Sequence, residues 1–110
     1  MPIQVILSQA GPLPITATFN APGDEPMYLE VNGSVWTQAT NVMIGIGINL
    51  DNAKVGSAQI FSNPSTTHRT VVPAYIKVQL TQGQHTLYLY PSTPPTVSDN
   101  NDFFTAVLHY

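Results

Sequence analysis

Three histidines, His68, His85 and His109, and the acidic stretch Asp99-Asn100-Asn101-Asp102 are the residues whose types could do chemistry in this chain. A metal site on β-strands commonly draws on an H-x-H pair with a glutamate close by. No H-x-H occurs, and the glutamates are Glu25 and Glu30 alone, so the histidines read as solvent-facing or hydrogen-bonded structural groups. Asp99, Asn100, Asn101 and Asp102 offer oxygen ligands that suit calcium, without the glycine and distal glutamate of an EF-hand loop. The same residues stabilise turns through side-chain-to-backbone bonds, which is the simpler expectation. No cofactor and no metal are therefore expected, with calcium left as the alternative. Acyl-transfer chemistry needs an exposed serine paired with histidine, and the G-x-S-x-G elbow is absent. The carboxylates fall in loops and turns apart from Glu30, with none set in an apolar run that would raise its pKa. The chain is not expected to be an enzyme.

Trp36, the lone tryptophan, stands beside Ser34, Thr37 and Gln38 at the end of an apolar run. A half-exposed indole there can stack on a sugar ring, and core or interface packing competes with that role. The predicted ligand-binding set is Trp36, Asp99, Asn100, Asn101 and Asp102. Tyr75, Tyr88 and Tyr90 alternate with aliphatic residues on two successive strands, and Tyr110 ends the closing one. Left exposed together they would make an apolar patch that soluble monomers rarely show. Tyrosine suits interfaces, because the ring buries area while the hydroxyl keeps a partner. These four are the predicted oligomer interface.

The elements that must position these residues are strands. Ten prolines and seven glycines mostly punctuate short alternating apolar runs. Ile3 to Leu7 and Ile15 to Phe19 are the first two. Met27, Leu29 and Val31 share a face, and Asn32-Gly33 is expected to interrupt before Val35-Trp36; its sequon with Ser34 reads as a turn. Ile44, Ile46, Ile48 and Leu50 alternate with Gly45, Gly47 and Asn49, so another backbone or ring should lie close to the glycines. Asp51-Asn52 turns the chain into a return strand ending at Phe61. Val72, Ala74, Ile76, Val78 and Leu80 are predicted to line one face of the longest strand. Gly83 takes a left-handed turn position, Leu87 and Leu89 point inward, and Phe103 to Tyr110 closes the domain after a Pro91–Asn101 loop. Apolar residues at helical spacing are missing. The prediction is one all-β domain over residues 1–110, an antiparallel two-sheet sandwich of about eight strands with jelly-roll topology.

Composition limits the partners. Charged residues make up 8% of the chain against about 25% in ordinary domains, and the net charge is −3. Lys54, Arg69 and Lys77 are too few and too scattered to displace counterions from nucleic acid. No run nears the roughly 20 apolar residues of a membrane span. With no cysteine and no signal-like N-terminus, the localisation stays open; release or attachment to a virion or cell surface is consistent with it.

The stretches TTHRTVVPAYIKVQLTQGQHTLYLYP and DNNDFFTAVLHY resemble the compact jelly rolls of the complement-component and tumour necrosis factor-like superfamily, in its microbial or phage form. The resemblance implies a homotrimer with aromatic residues about its axis and a recognition head without enzymatic activity. The expected function is lectin-like binding of a surface glycan. The alternative is a structural phage tail, capsid or coat protein whose ligand is its own neighbours.

Overall fold

The structure, a computed structural model, describes residues 2–110 as nine strands and no helix. They are β1 (Ile3–Ala10), β2 (Ile15–Ala21), β3 (Pro26–Val35), β4 (Val42–Leu50), β5 (Ala53–Ser62), β6 (Arg69–Thr70), β7 (Ala74–Gln79), β8 (Gly83–Pro91) and β9 (Phe103–His109). One sheet runs β1-β9-β3, with β6 and β7 following one another along the far side of β3; the other runs β2-β8-β4-β5. Every pairing is antiparallel, and most turns hand the chain from one sheet to the other, which is the jelly-roll winding.

Alternation determines the inside. Met27, Leu29 and Val31 from β3, Ile44, Ile46 and Ile48 from β4, Leu87 and Leu89 from β8, and Phe104, Ala106 and Leu108 from β9 interleave in one core. Each such large side chain contributes about 1.5–3 kcal/mol on leaving water. The bare glycine face of β4 is filled as the sequence requires. A Cβ on Gly47 would stand 2.3 Å from the Tyr90 ring, and one on Gly45 equally close to the Ala58 carbonyl. Asp51 and Asn52 both take positive φ, 51° and 68°, and join β4 to β5 as a two-residue hairpin turn.

Three expectations are corrected. Asn32-Gly33 does not break β3, which passes through it unbroken. Gly33 is there because Phe104 packs where its Cβ would be, at 2.5 Å, so the glycine serves packing and not turning. The predicted strand from Val72 to Leu80 is shorter, since β7 covers only Ala74–Gln79 and is not the longest strand, and Val72 lies before it and faces out. Val71 is 2% exposed and Val72 62%. The Val71 N–H bonds to the Gly33 carbonyl in the first sheet, and the Val72 N–H to the Gln59 carbonyl in the second. Successive amides thus bind two different sheets, which reverses the side-chain alternation before Pro73 restarts the strand.

The tyrosines are the third correction. Tyr75 lies on β7, in the five-stranded sheet, and meets Tyr28 and His109 at ring-centroid distances of 5.4 and 5.2 Å. Tyr88 and Tyr90 lie on β8 in the opposite sheet and stack on each other at 5.6 Å. β7 and β8 lie in different sheets, so their outward residues face opposite sides of the molecule. Tyr110 follows β9, its N–H bonded to the Pro2 carbonyl. The four residues do not form one patch.

Candidate functional site

The sandwich has two unlike ends. One holds the Asp51-Asn52 turn, the β7–β8 turn, the β2–β3 loop and both described chain ends. The other gathers four longer connections, the β1–β2, β3–β4, β5–β6 and β8–β9 loops, and this is where the predicted ligand-binding residues meet. The loops are bonded to one another and not only to their own strands. Leu13 N–H donates to the Ser98 hydroxyl at 2.8 Å, Gly11 N–H to the Asp102 carbonyl at 2.8 Å, and Thr66 N–H to the Thr37 carbonyl at 2.6 Å. Trp36 and Val97 exchange backbone bonds at 2.9 and 2.8 Å, an isolated bridge that fastens the β8–β9 loop to the end of β3. Loops cross-linked in this way hold their side chains in place before any ligand arrives.

Asp102 is the centre of the arrangement. Its side chain is fully buried, and its Oδ1 accepts from the Ser34 hydroxyl at 2.8 Å and from His68 Nδ1 at 2.6 Å. Its Oδ2 accepts from the Asp99 N–H at 2.9 Å. A buried carboxylate with three donors is well compensated for its lost hydration. The hydrogen bond to Asp102 raises the His68 pKa above the usual histidine value; partial burial opposes this, and the charges of Asp102 and Asp99 add to it.

The outer layer is wetter. Asp99 Oδ1 accepts from the Asn101 N–H at 2.8 Å, closing a turn of the kind expected of an Asp-Asn-Asn-Asp stretch. Asp99 Oδ2 faces His68 Nε2 at 3.9 Å, and the two side chains are 41% and 39% exposed. The His68 ring lies 5.8 Å from the Trp36 ring at a tilt of 42°. The indole N–H of Trp36 is buried without a hydrogen-bond partner. Asn100 and Asn101 are exposed beside Asp99. Next to this group Thr37, Gln38, Ala39, Pro94, Pro95 and Val97 line a shallow, mostly apolar depression of about 260 Å³.

Trp36, Asp99 and Asp102 therefore come together, with Asn100 and Asn101 on the adjoining rim. Asp102 differs from the rest in being inside the protein, where it holds His68 and cannot touch a ligand. Donor atoms of His68, Asp99 and Asp102 lie within 4.8 Å of one another, close enough for a metal ion. Both Asp102 oxygens and one Asp99 oxygen are already engaged by protein donors, which fits a hydrogen-bonded turn.

Sequence reasoning missed His68 as part of the site. Its signal was weak, a histidine in a Ser/Thr-rich loop 31 positions before Asp99, and only the folding of the β5–β6 and β8–β9 loops to one end joins them. The other two histidines are also carboxylate-bonded: His109 Nε2 lies 2.8 Å from Glu30 Oε1, and His85 Nδ1 lies 2.5 Å from Asp51 Oδ2. The Ser34 hydroxyl donates to Asp102, and no serine or threonine hydroxyl bonds to a histidine nitrogen in the bonds described.

No protein-family model matches the chain, and no curated protein matches its sequence. The resemblance to the complement and tumour necrosis factor-like superfamily accordingly stands at the level of the jelly-roll class. Among solved structures the chain is similar to the EclA C-terminal domain, a sugar-binding protein, at TM-score 0.51 and 15% identity, covering 91% of this chain and 69% of that one. A family 35 carbohydrate binding module from Clostridium thermocellum matches at TM-score 0.46 and 13% identity, over 96% of this chain and 90% of that one. Carbohydrate-binding module CBM36, in complex with calcium and xylotriose, matches at 0.47 and 12%, over 99% and 92%. The first likeness establishes a shared β-sandwich fold.

Proposed function

We propose that this protein is a non-enzymatic carbohydrate-recognition module whose site is the loop end of the sandwich. The observation that carries the reading is the convergence there of Trp36, His68 and Asp99 on loops bonded to one another, beside an apolar depression. Sugars present C–H faces to aromatic and proline surfaces and hydroxyls to fixed polar groups, and this end offers both. The fold shared with a sugar-binding protein supports the same reading. A glycan array probed with the wild type and with Trp36→Ala tests it. Binding of a defined glycan set that the variant loses is expected; a wild type that binds no glycan, or a variant that binds as well, contradicts it.

A second reading is favoured by the outer face of the five-stranded sheet. Ile3, Val5, Tyr28, Tyr75 and Phe103 are between 43% and 58% exposed there. Such a face suits assembly on copies of the same chain, as in a trimeric head or a phage or coat protein. Of the tyrosines expected at the interface, Tyr75 belongs to this face, whereas Tyr88 and Tyr90 belong to the other sheet. Light scattering on the wild type and Tyr75→Ser distinguishes the readings: a monomer at micromolar concentration removes the second and leaves the first.

A further inference from the structure

The gap between His68 Nε2 and Asp99 Oδ2 has a size and polarity that the fold leaves unexplained. At 3.9 Å it is too wide for a hydrogen bond, and neither atom has another partner among the described residues. One oxygen atom placed about 2.8 Å from each fits between them. Resting on the carbohydrate reading above, we infer that this gap receives one hydroxyl of the bound sugar, which accepts from His68 Nε2–H and donates to Asp99 Oδ2, and that the bond requires the imidazolium form of His68.

The requirement follows from Asp102. A buried carboxylate only accepts, so it holds a proton on His68 Nδ1 whatever the charge of the ring. When the ring is neutral, Nε2 is therefore bare, and a hydroxyl in the gap meets two acceptors and can satisfy one. When the ring is charged, Nε2–H and the Asp99 carboxylate form a donor–acceptor pair matched to a hydroxyl. The charged groups facing the ring are Asp99 and Asp102, both from the β8–β9 loop, while the β3 side presents Trp36 and Ser34; Arg69 follows His68 in the chain. The carboxylates favour the charged ring, so it persists above the ordinary histidine range and binding weakens as pH rises through the raised value.

Two variants separate this mechanism from a structural role. Asp99→Asn keeps a carbonyl for the Asn101 N–H but turns a donor toward the gap, so the hydroxyl loses its acceptor and affinity falls about tenfold. Asp102→Asn can accept from the Asp99 N–H with its carbonyl and donate from its amide to Ser34 and to His68 Nδ1. That arrangement moves the imidazole proton to Nε2 and preserves the ligand bond in the neutral ring. The variant should bind with little change between about pH 6 and about pH 9, whereas the wild type binds more weakly in the alkaline sample.

The experiment is NMR titration of the three proteins with free glucose, galactose, mannose, fucose and xylose at both pH values, following the His68 ring and the Trp36 indole. The inference holds if one sugar shifts both groups, binds the wild type in the lower-pH sample, and binds Asp102→Asn at both. If Trp36 shifts while affinity ignores pH and Asp99→Asn, the inference is wrong and the carbohydrate reading survives. If no sugar moves either group, both are wrong. Loss of binding in the presence of EDTA also overturns it, since a metal would then occupy the gap.

Discussion

Replacing Asp102 with alanine should cost far more than replacing it with asparagine, although both remove the charge. In the alanine variant the Asp99 N–H and the Ser34 hydroxyl lose an acceptor at a fully buried position. A buried donor left unpaired costs about 1–3 kcal/mol, and two of them partly relieved by entering water give about 2–4 kcal/mol. His68 adds little, because its exposed ring can turn to solvent. With a total stability of about 5–15 kcal/mol, such a loss lowers Tm by roughly 10–25 °C for a domain of this size. The asparagine variant keeps all three bonds by the exchange of roles described above, and should cost about 1 kcal/mol or less. Urea denaturation at neutral pH measures both, and a Ser34→Ala cycle with Asp102→Ala should show a coupling of about 1 kcal/mol. An alanine variant within about 0.5 kcal/mol of wild type would refute the view that Asp102 holds the loops together. Equal losses for alanine and asparagine would refute the exchange of hydrogen-bonding roles.

Other perturbations address the fold and its charges. Val71→Ala should cost about 1–3 kcal/mol and Val72→Ala about 0.5 kcal/mol or less, in urea midpoints, because only the first side chain is in the core. Gly47→Ala should destabilise by about 1–3 kcal/mol through its clash with the Tyr90 ring, and Tyr90→Ser in the same chain should recover part of the loss. At the other end, His85 Nδ1 meets Asp51 and Nε2 meets the Thr81 carbonyl at 2.6 Å, two acceptors that favour the charged ring. The bond to Asp51 first, and the Thr81 carbonyl next, raise its pKa; Asp51 is lowered, since burial raises it but the His85 and Thr86 hydrogen bonds and the His85 charge outweigh that. A raised histidine stabilises fully below its unfolded value and a lowered aspartate fully above its own. Their joint contribution is therefore complete between about pH 4 and about pH 6.5 and declines outside that window. Thermal melts across pH should show His85→Gln with a flatter alkaline limb than the wild type; parallel limbs would contradict the assignment.

How far the sequence reveals this molecule depends on which force sets each feature. The alternation at Met27 to Val31, Ile44 to Leu50 and Leu87 to Leu89 specifies faces directly, and the bare Gly47 correctly implies a ring above it. Gly33 misleads because a packing glycine inside a strand and a turn glycine look alike in one dimension. Val72 misleads because its amide bonds to the opposite sheet, an event with no local signature beyond Pro73. The tyrosines mislead for a topological reason: β7 and β8 belong to different sheets, so one pattern of alternation describes two opposite surfaces. At the site, Trp36 and the Asp99–Asp102 turn stand out by residue type, whereas the buried role of Asp102 and the part played by His68 depend on four loops meeting.

Chemical-shift mapping of a bound glycan on the isotope-labelled protein locates the sugar site on one end or face of the sandwich. Changes are expected at Trp36, Gln38, His68 and Asp99, with the turns at Asp51 and Thr81 unmoved. Changes centred on Tyr28 and Tyr75, or on the Tyr88–Tyr90 face, would contradict it.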